Sequence, residues 1–434
     1  MKQKPYNTPV IIAFLAMCFP LLYAFVKKDN TPNLTGMVIS DEKPELNAGN
    51  WFSSSYQKDM DDYNNDHWSF KEKMVRINNQ FYYDAFNQIR VNRFVSGKDD
   101  YVFSESYIFS AFGDDLIKEE KVNDLLLKAK VLQDTLKKKG IDLVLVYAPG
   151  KGSFCKEFVE DKYVHPVKNT NHNLFVSISE KLGLNHLDLY SYFEKIKPTS
   201  PHPLFPRFGH HWSYYGECIA VDVIIRYIEK LHNCDMPSVS WDKIDVVDTA
   251  RSRDADILKS MNLLQDPPQN MKLAYPQVKF EVDSAKNKTR VLTISDSYWY
   301  GPVYMGVPQR CFAGGEFWYY YNRVVPLRNN ESVEVWQLDL KKELESNQVI
   351  MLLYSDGNLP TFGNNFIYDT YELYTSPKTY YARNELNKQI QAYAKQVRET
   401  PTLLKKSTQK SNDLQIPLDS AIRLDAVKMA GLIK

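Results

Sequence analysis

A parallel β-sheet with helices packed on both faces is the fold class the sequence predicts, and three observations predict it. Two continuous apolar runs, Ile141 to Tyr147 and Val349 to Tyr354, have the pattern of strands buried on both faces. Helical periodicity alternates with such runs along the chain, as a layered α/β domain requires. Glycines punctuate the alternation: Gly140 stops a long helix from Asp114 to Lys139, and Gly183 stops one running through Phe175 to Leu182.

Taken in order, the elements begin with Lys2 and Lys4, followed by an uncharged run from Val10 to Val26 that Lys27-Lys28-Asp29 closes. A membrane span needs ~17–25 apolar residues, so residues 10–26 are predicted to be an uncleaved single-pass anchor, with residues 1–9 cytoplasmic. A removed signal peptide needs small residues at a cleavage site, whereas the sequence there is Tyr23-Ala24-Phe25-Val26-Lys27. A lipobox before Cys18 would place a small residue where Met17 stands. Basic flanks on both sides do not fix the orientation by charge alone. Residues 27–65, rich in Asn, Asp, Ser and Lys, read as a tether, and 66–375 as the α/β domain. That domain opens with a capping box at Ser69-Phe70-Lys71-Glu72 and an amphipathic helix carrying Phe70, Met74, Ile77, Phe81 and Ile89. A hairpin from Arg93 to Phe103 turns at Gly97-Lys98-Asp99-Asp100. Further on come a short strand at His186 to Leu189, a helix from Tyr214 to Leu231, a strand from Thr289 to Ile294 and a helix from Leu338 to Glu345. Trp318-Tyr319-Tyr320-Tyr321 reads as a strand with alternating faces. Residues 376–434 are predicted to form a helical appendage.

Across 434 residues the formal net charge is +1, which gives no electrostatic footprint for nucleic acid. Hydrophobic residues at 44% and charged residues at 25% are those of an ordinary globular protein. Cys155, Cys218, Cys234 and Cys311 lie outside the predicted anchor without any Cys-x-x-Cys pair or metal-ligand spacing, so neither metal nor cofactor is expected. One disulfide and four separate thiols are both compatible with that count.

Ligands of parallel sheets bind beyond the carboxyl ends of the strands. Three exits follow the predicted strands: Ala148-Pro149-Gly150-Lys151, Ser295-Asp296-Ser297-Tyr298-Trp299, and Ser355-Asp356-Gly357-Asn358. A fourth loop, Phe208-Gly209-His210-His211-Trp212-Ser213, precedes a helix. A serine on a tight strand exit becomes a nucleophile when a base takes its proton, and histidine is the usual base. Ser297 and His211 are therefore the candidate nucleophile and base.

Thr293-Ile294-Ser295-Asp296-Ser297 resembles the Gly-Asp-Ser motif of SGNH/GDSL hydrolases, with Ser295 in the glycine's place. Its late position, after a His-Trp-Ser block, resembles the alginate O-acetyltransferase (AlgJ/AlgX-like) branch. Phe70-Lys71-Glu72-Lys73, the stretch Ser96 to Phe103, and Leu145 to Lys151 are similar to that branch's early helix, hairpin and Pro-x-x-Lys strand. The likeness spans roughly residues 65–360. It departs at Gly209, where the branch carries the aspartate that orients the histidine.

The resemblance implies an SGNH-like fold and transfer of an acetyl group, through an ester on Ser297, to hydroxyls of an exported or cell-envelope polysaccharide. It also implies a membrane-bound O-acyltransferase as donor. With the anchor, it places the chain in a bacterial inner membrane with its main domain in the periplasm or outside the cell. The Ser297 amide would serve an oxyanion hole. Asp188, Asp296, Asp356 or a backbone carbonyl are the candidates to orient His211, and His210 is a candidate assisting neighbour. Lys151 is either a contact for an acidic sugar or a solvated cation. Trp212 and Trp299 are either sugar-stacking platforms or core. An acetyl esterase, and a noncatalytic glycan-binding or scaffolding partner, stay open beside the transferase.

Overall fold

The computed structural model describes residues 8–26, 31–36, 43–67, 70–281, 285–328, 330–414, 416 and 418–432. Six strands form its central sheet, side by side in the order Arg323–Val325, Phe317–Tyr319, Val291–Ser295, Val349–Ser355, Asp142–Ala148 and His186–Asp188. All neighbours are parallel except the edge pair Phe317–Tyr319 and Arg323–Val325, so the sheet is mixed rather than wholly parallel. Tyr320 and Tyr321 leave the predicted strand as a turn with positive φ, and that turn reverses the chain into the antiparallel edge.

Strand periodicity explains the two cores. Along Asp142–Ala148, Leu143, Leu145 and Tyr147 enter one cluster with the helices Glu119–Lys137 and Asn171–Leu182. Val144, Val146 and Ala148 enter the other, with the helix Tyr214–His232. Alternate side chains point to opposite faces, so a strand apolar at every position is covered on both. The parallel register brings the carboxyl ends of Val291–Ser295 and Val349–Ser355 together, with Leu353 beside Ser295.

The long helix expected from Asp114 starts only at Glu119. Gly113 ends a preceding helix, Glu105–Phe112, in left-handed geometry, and the Asn171 side chain accepts the Ile117 amide at 3.0 Å, which holds the intervening residues as a turn. The early helix spans Lys71–Phe86 and ends at left-handed Asn87, short of Ile89. Its stripe does not face the core: Phe70 is buried, but Met74, Ile77 and Phe81 are exposed. The helix docks instead through Asn79 and Arg76, which donate to the carbonyls of Met261 (2.8 Å) and Leu263 (3.2 Å). The predicted cap at Ser69 lies outside the described residues.

Within the stretch expected to be a tether, short helices occupy Ala48–Phe52 and Ser55–His67, the first capped by the Asn47 side chain. The expected anchor falls in the helix Thr8–Val26, several of whose side chains lie outside the described residues. Among the described residues no helix is long and apolar enough to cross a membrane. At the other end, Pro377–Glu399, Pro401–Leu414 and Leu418–Met429 pack around Ile390, Val397 and Ile422. All five cysteines are free thiols.

Candidate active site

The turn after Val291–Ser295 is built by Asp296. Its carboxylate is fully buried and accepts from the Tyr298 amide (3.0 Å), the Ser355 amide (2.9 Å), the Ser355 hydroxyl (2.7 Å) and the Asn358 amide (2.8 Å). These bonds tie two strand exits together and use the lone pairs that would otherwise be free to orient a histidine. Asp296 is therefore structural rather than the acid expected beside His211. The turn leaves Ser297 half-exposed between buried neighbours, at the start of a single turn of 3₁₀ helix.

The loop before Tyr214–His232 brings His211 to Ser297. Its Nε2 lies 2.8 Å from Ser297 Oγ, and its Nδ1 lies 3.2 Å from Asp256 Oδ2. With the Nδ1 proton donated to Asp256, Nε2 is left as the acceptor of the serine hydroxyl. Burial holds the His211 ring below its ordinary pKa against the opposing pull of Asp256, so the ring is neutral at neutral pH. Burial works to raise the Asp256 carboxyl, but the hydrogen bonds from His211 and the His210 amide help to outweigh it, and its pKa lies below the ordinary carboxylate value. The other Asp256 oxygen accepts the His210 amide at 2.9 Å, which fixes the carboxylate.

Asp256 is the residue that sequence reasoning missed. It opens the short helix Asp256–Ser260 after the turn Ser252–Ala255, away from any strand exit. The signal present in the sequence was the cluster Arg253-Asp254-Ala255-Asp256. Arg253 also enters the site: one guanidinium nitrogen donates to the Ser297 carbonyl (3.1 Å), the other to Glu217 (3.2 Å). Burial raises the Glu217 carboxyl to about 7, with Arg253 opposing that shift.

The remaining candidates stand elsewhere. Asp356 is buried with Ser153, His172 and Tyr190 around a small separate cavity, and burial pushes its carboxyl up to about 6. Asp188 accepts from His172 and caps the helix Leu189–Ile196, so it too is not the orienting acid. His210 stacks on Tyr107 with ring centres 4.7 Å apart, and burial lowers its pKa to about 3, which leaves it neutral. Lys151 is neither solvated nor open to a sugar: it is 1% exposed and donates to the carbonyls of Arg207 (2.5 Å) and Gly209 (2.9 Å). Trp212 packs between Phe193 and Tyr298, and Trp299 stacks on Phe312. Both are core, buried on all sides, and present no face to a sugar.

Residues 94–290 match the model of the family described as SGNH hydrolase-like domain, acetyltransferase AlgX. The SGNH-like resemblance holds. The matched segment contains Lys151, His211 and Asp256, and ends seven residues before Ser297. Solved structures similar to the chain include the O-acetyltransferase domain of Pseudomonas putida AlgJ, at 19% identity and TM-score 0.43, covering 64% of this chain and 98% of that one. Bacillus cereus PatB1 is similar at 13% identity and TM-score 0.39, covering 61% and 96%. Pseudomonas aeruginosa AlgX is similar at 12% identity and TM-score 0.39, covering 62% and 66%. No curated protein sequence matches the chain.

Proposed function

We propose that this chain is an O-acetyltransferase that carries an acetyl group on Ser297 and passes it to a hydroxyl of an exported or cell-envelope polysaccharide. One observation carries the reading: His211 is bonded at once to Ser297 Oγ (2.8 Å) and to Asp256 (3.2 Å), the connectivity of a serine acyl-transfer triad. Ser297 Oγ attacks the acetyl carbonyl while His211 Nε2 takes its proton. Collapse of the tetrahedral adduct breaks the bond to the donor group, which takes that proton from His211 and departs, while the acetyl group stays on Ser297 as an ester. A sugar hydroxyl then gives its proton to His211 and attacks the ester, releasing the acetylated sugar and restoring the serine. The Ser297 amide, at the start of its helical turn, is positioned in sequence to donate to the oxyanion. Asp256 holds the imidazole tautomer and stabilises the imidazolium in both halves.

The donor in this reading is a membrane-bound O-acyltransferase, and residues 10–26 anchor the domain beside it, on the outer side of a bacterial inner membrane. The test is mass spectrometry of the protein after exposure to 4-nitrophenyl acetate, with and without acceptor oligosaccharides. An acetyl adduct on Ser297 that Ser297→Ala abolishes, and that acceptors discharge into acetylated sugar, is expected. Discharge only into free acetate would make the chain an esterase. Wild-type levels of turnover in Ser297→Ala would remove the catalytic assignment and leave a noncatalytic partner.

A further inference from the structure

A groove of about 860 Å³ runs along the seam between the sheet domain and the C-terminal helices, and none of Ser297, His211 and Asp256 lines it. Its volume is within the range of sites that hold small to medium ligands. We propose that this groove binds a strand of the acceptor polysaccharide, an inference that rests on the polysaccharide reading above and adds to it a separate chain-holding site.

Its walls have carbohydrate chemistry. Asn384, Asn387 and Gln391 recur at i, i+3 and i+7 along Pro377–Glu399, which puts three amides on one helix face. Among the described residues, none of these side chains hydrogen-bonds to another part of the chain. Each amide both donates and accepts, as a sugar hydroxyl does. Across from them, the Tyr354 hydroxyl donates to Asn364 Oδ1 (2.7 Å), which fixes that amide with its NH₂ group left to donate. Trp336 and Tyr320 add aromatic rings, and Val335 is the one aliphatic side chain among the described lining residues.

Charge narrows the ligand. The groove's two carboxylates, Asp369 and Glu372, are both spent on Arg383, at 2.8 and 2.6 Å. Lys128 is paired with Asp124 beside the groove, and Arg423 is exposed and makes no ion pair among the described residues. The groove is therefore close to neutral with a slight positive bias, suited to a neutral or weakly acidic glycan.

Backbone conformation is the independent observation. Tyr320 and Tyr321 have φ of 50° and 54°, and Asn364 and Asn365 have φ of 45° and 74°. Asparagine adopts this geometry readily, and the Tyr320–Tyr321 pair also makes the turn into the antiparallel edge strand, so the strain rests on the two tyrosines, a conformation found at ligand clamps. Both pairs line this one groove. The Tyr320 amide donates to the Ser295 carbonyl at 2.8 Å, so the groove and the Ser297 turn share the end of one strand.

The test is affinity electrophoresis of the full-length protein in native gels cast with a neutral β-glucan, a polyuronate or an N-acetylated amino-sugar polymer. At least one polymer should retard the wild type. The triple variant Asn384→Ala/Asn387→Ala/Gln391→Ala, which raises helix propensity on a half-buried face, should bind at least tenfold more weakly. Arg423→Gln should weaken binding of the acidic polymer alone. Hydrolysis of 4-nitrophenyl acetate should be unchanged in both variants. Retardation by none of the polymers, as for a groove that takes a peptide, or a triple variant that binds like the wild type, overturns the groove. Glycan binding without an acyl adduct on Ser297 would sink the catalytic reading and leave the groove standing.

Discussion

His211 Nδ1 meets Asp256 Oδ2 at 3.2 Å across 45 residues of sequence, while the position two residues before His211 is a glycine. The two facts meet in the packing around Gly209. A β-carbon on Gly209 would stand 2.5 Å from Pro206 Cγ and 2.9 Å from the Asp254 carbonyl oxygen. The segment that delivers Asp256 thus fills the space an aspartate side chain at 209 would need.

Asp256→Asn should keep the loop in place, because the amide oxygen can still accept the His210 N–H. It should disturb the imidazole tautomer, and in a serine protease the equivalent change costs ~10⁴ in kcat. We expect a loss of that order in turnover of an activated acetyl ester, with a melting temperature close to wild type. Turnover within tenfold of wild type would exclude Asp256 as the orienting acid. Asp296→Asn should behave in the opposite way, with a clear loss of stability, because four bonds converge on that buried carboxylate.

Gly209→Ala should be destabilising by ~1–3 kcal/mol, the usual cost of forcing atoms into packed space. Gly209→Asp should do worse and should not raise activity, since His211 already has its carboxylate. A Gly209→Asp protein that melts and turns over like wild type would show that the Arg253–Asp254 backbone yields freely.

The pH profile follows from His211. Burial lowers its pKa from 6.5, and the base must be neutral to take the serine proton. The acid limb of kcat/KM should therefore lie below pH 6.5 and fall with unit slope. The folded ring binds a proton less readily than the unfolded one, so its contribution to stability is present above pH 6.5 and is lost as pH falls through the lowered value. An acid limb centred above pH 7 would contradict the burial argument.

Much of this was legible in the sequence because strand periodicity and glycine stops are local signals. Ser297 and His211 could be picked out for the same reason: each belongs to a short local motif, a serine on a strand exit and a histidine in a loop just before a helix. Asp256 could not, since its role depends on a long-range approach that no local pattern encodes, and attention to strand exits pointed to Asp296 and Asp356 instead. Met74, Ile77 and Phe81 misled in the other direction. Their helical spacing is real, but side-chain bonds from Arg76 and Asn79 to backbone carbonyls decide which face of that helix docks. Lys151 was misplaced because a lysine beside a glycine-rich turn looks solvated until the carbonyls it meets are known.

Residues 10–26 supply a prediction independent of the chemistry. The protein should stay in the membrane fraction after carbonate washing, with its C-terminal domain accessible to protease from the outer side. A soluble mature form beginning near residue 28 would refute the anchor.

Lys151 supplies the last prediction. Its ammonium is buried and holds the carbonyls of Arg207 and Gly209, which flank the turn that presents His211. Burial lowers its pKa from 10.5 to about 7, yet the neutral amine still has two N–H groups for two carbonyls, so the contacts survive deprotonation. Lys151→Met keeps the volume but removes both donors, and each carbonyl left unpaired in the interior costs ~1–3 kcal/mol. The melting temperature should fall, and kcat should fall more than KM changes, because a small displacement of His211 spoils proton transfer without touching the groove. The unfolded chain binds the Lys151 proton more tightly than the folded one between pH about 7 and 10.5. Stability contributed by this group therefore rises across that window. The gap in melting temperature between wild type and Lys151→Met should widen from pH 7 toward pH 10. A gap that stays constant, with unaltered kcat, would mean that Lys151 only fills space beneath the loop.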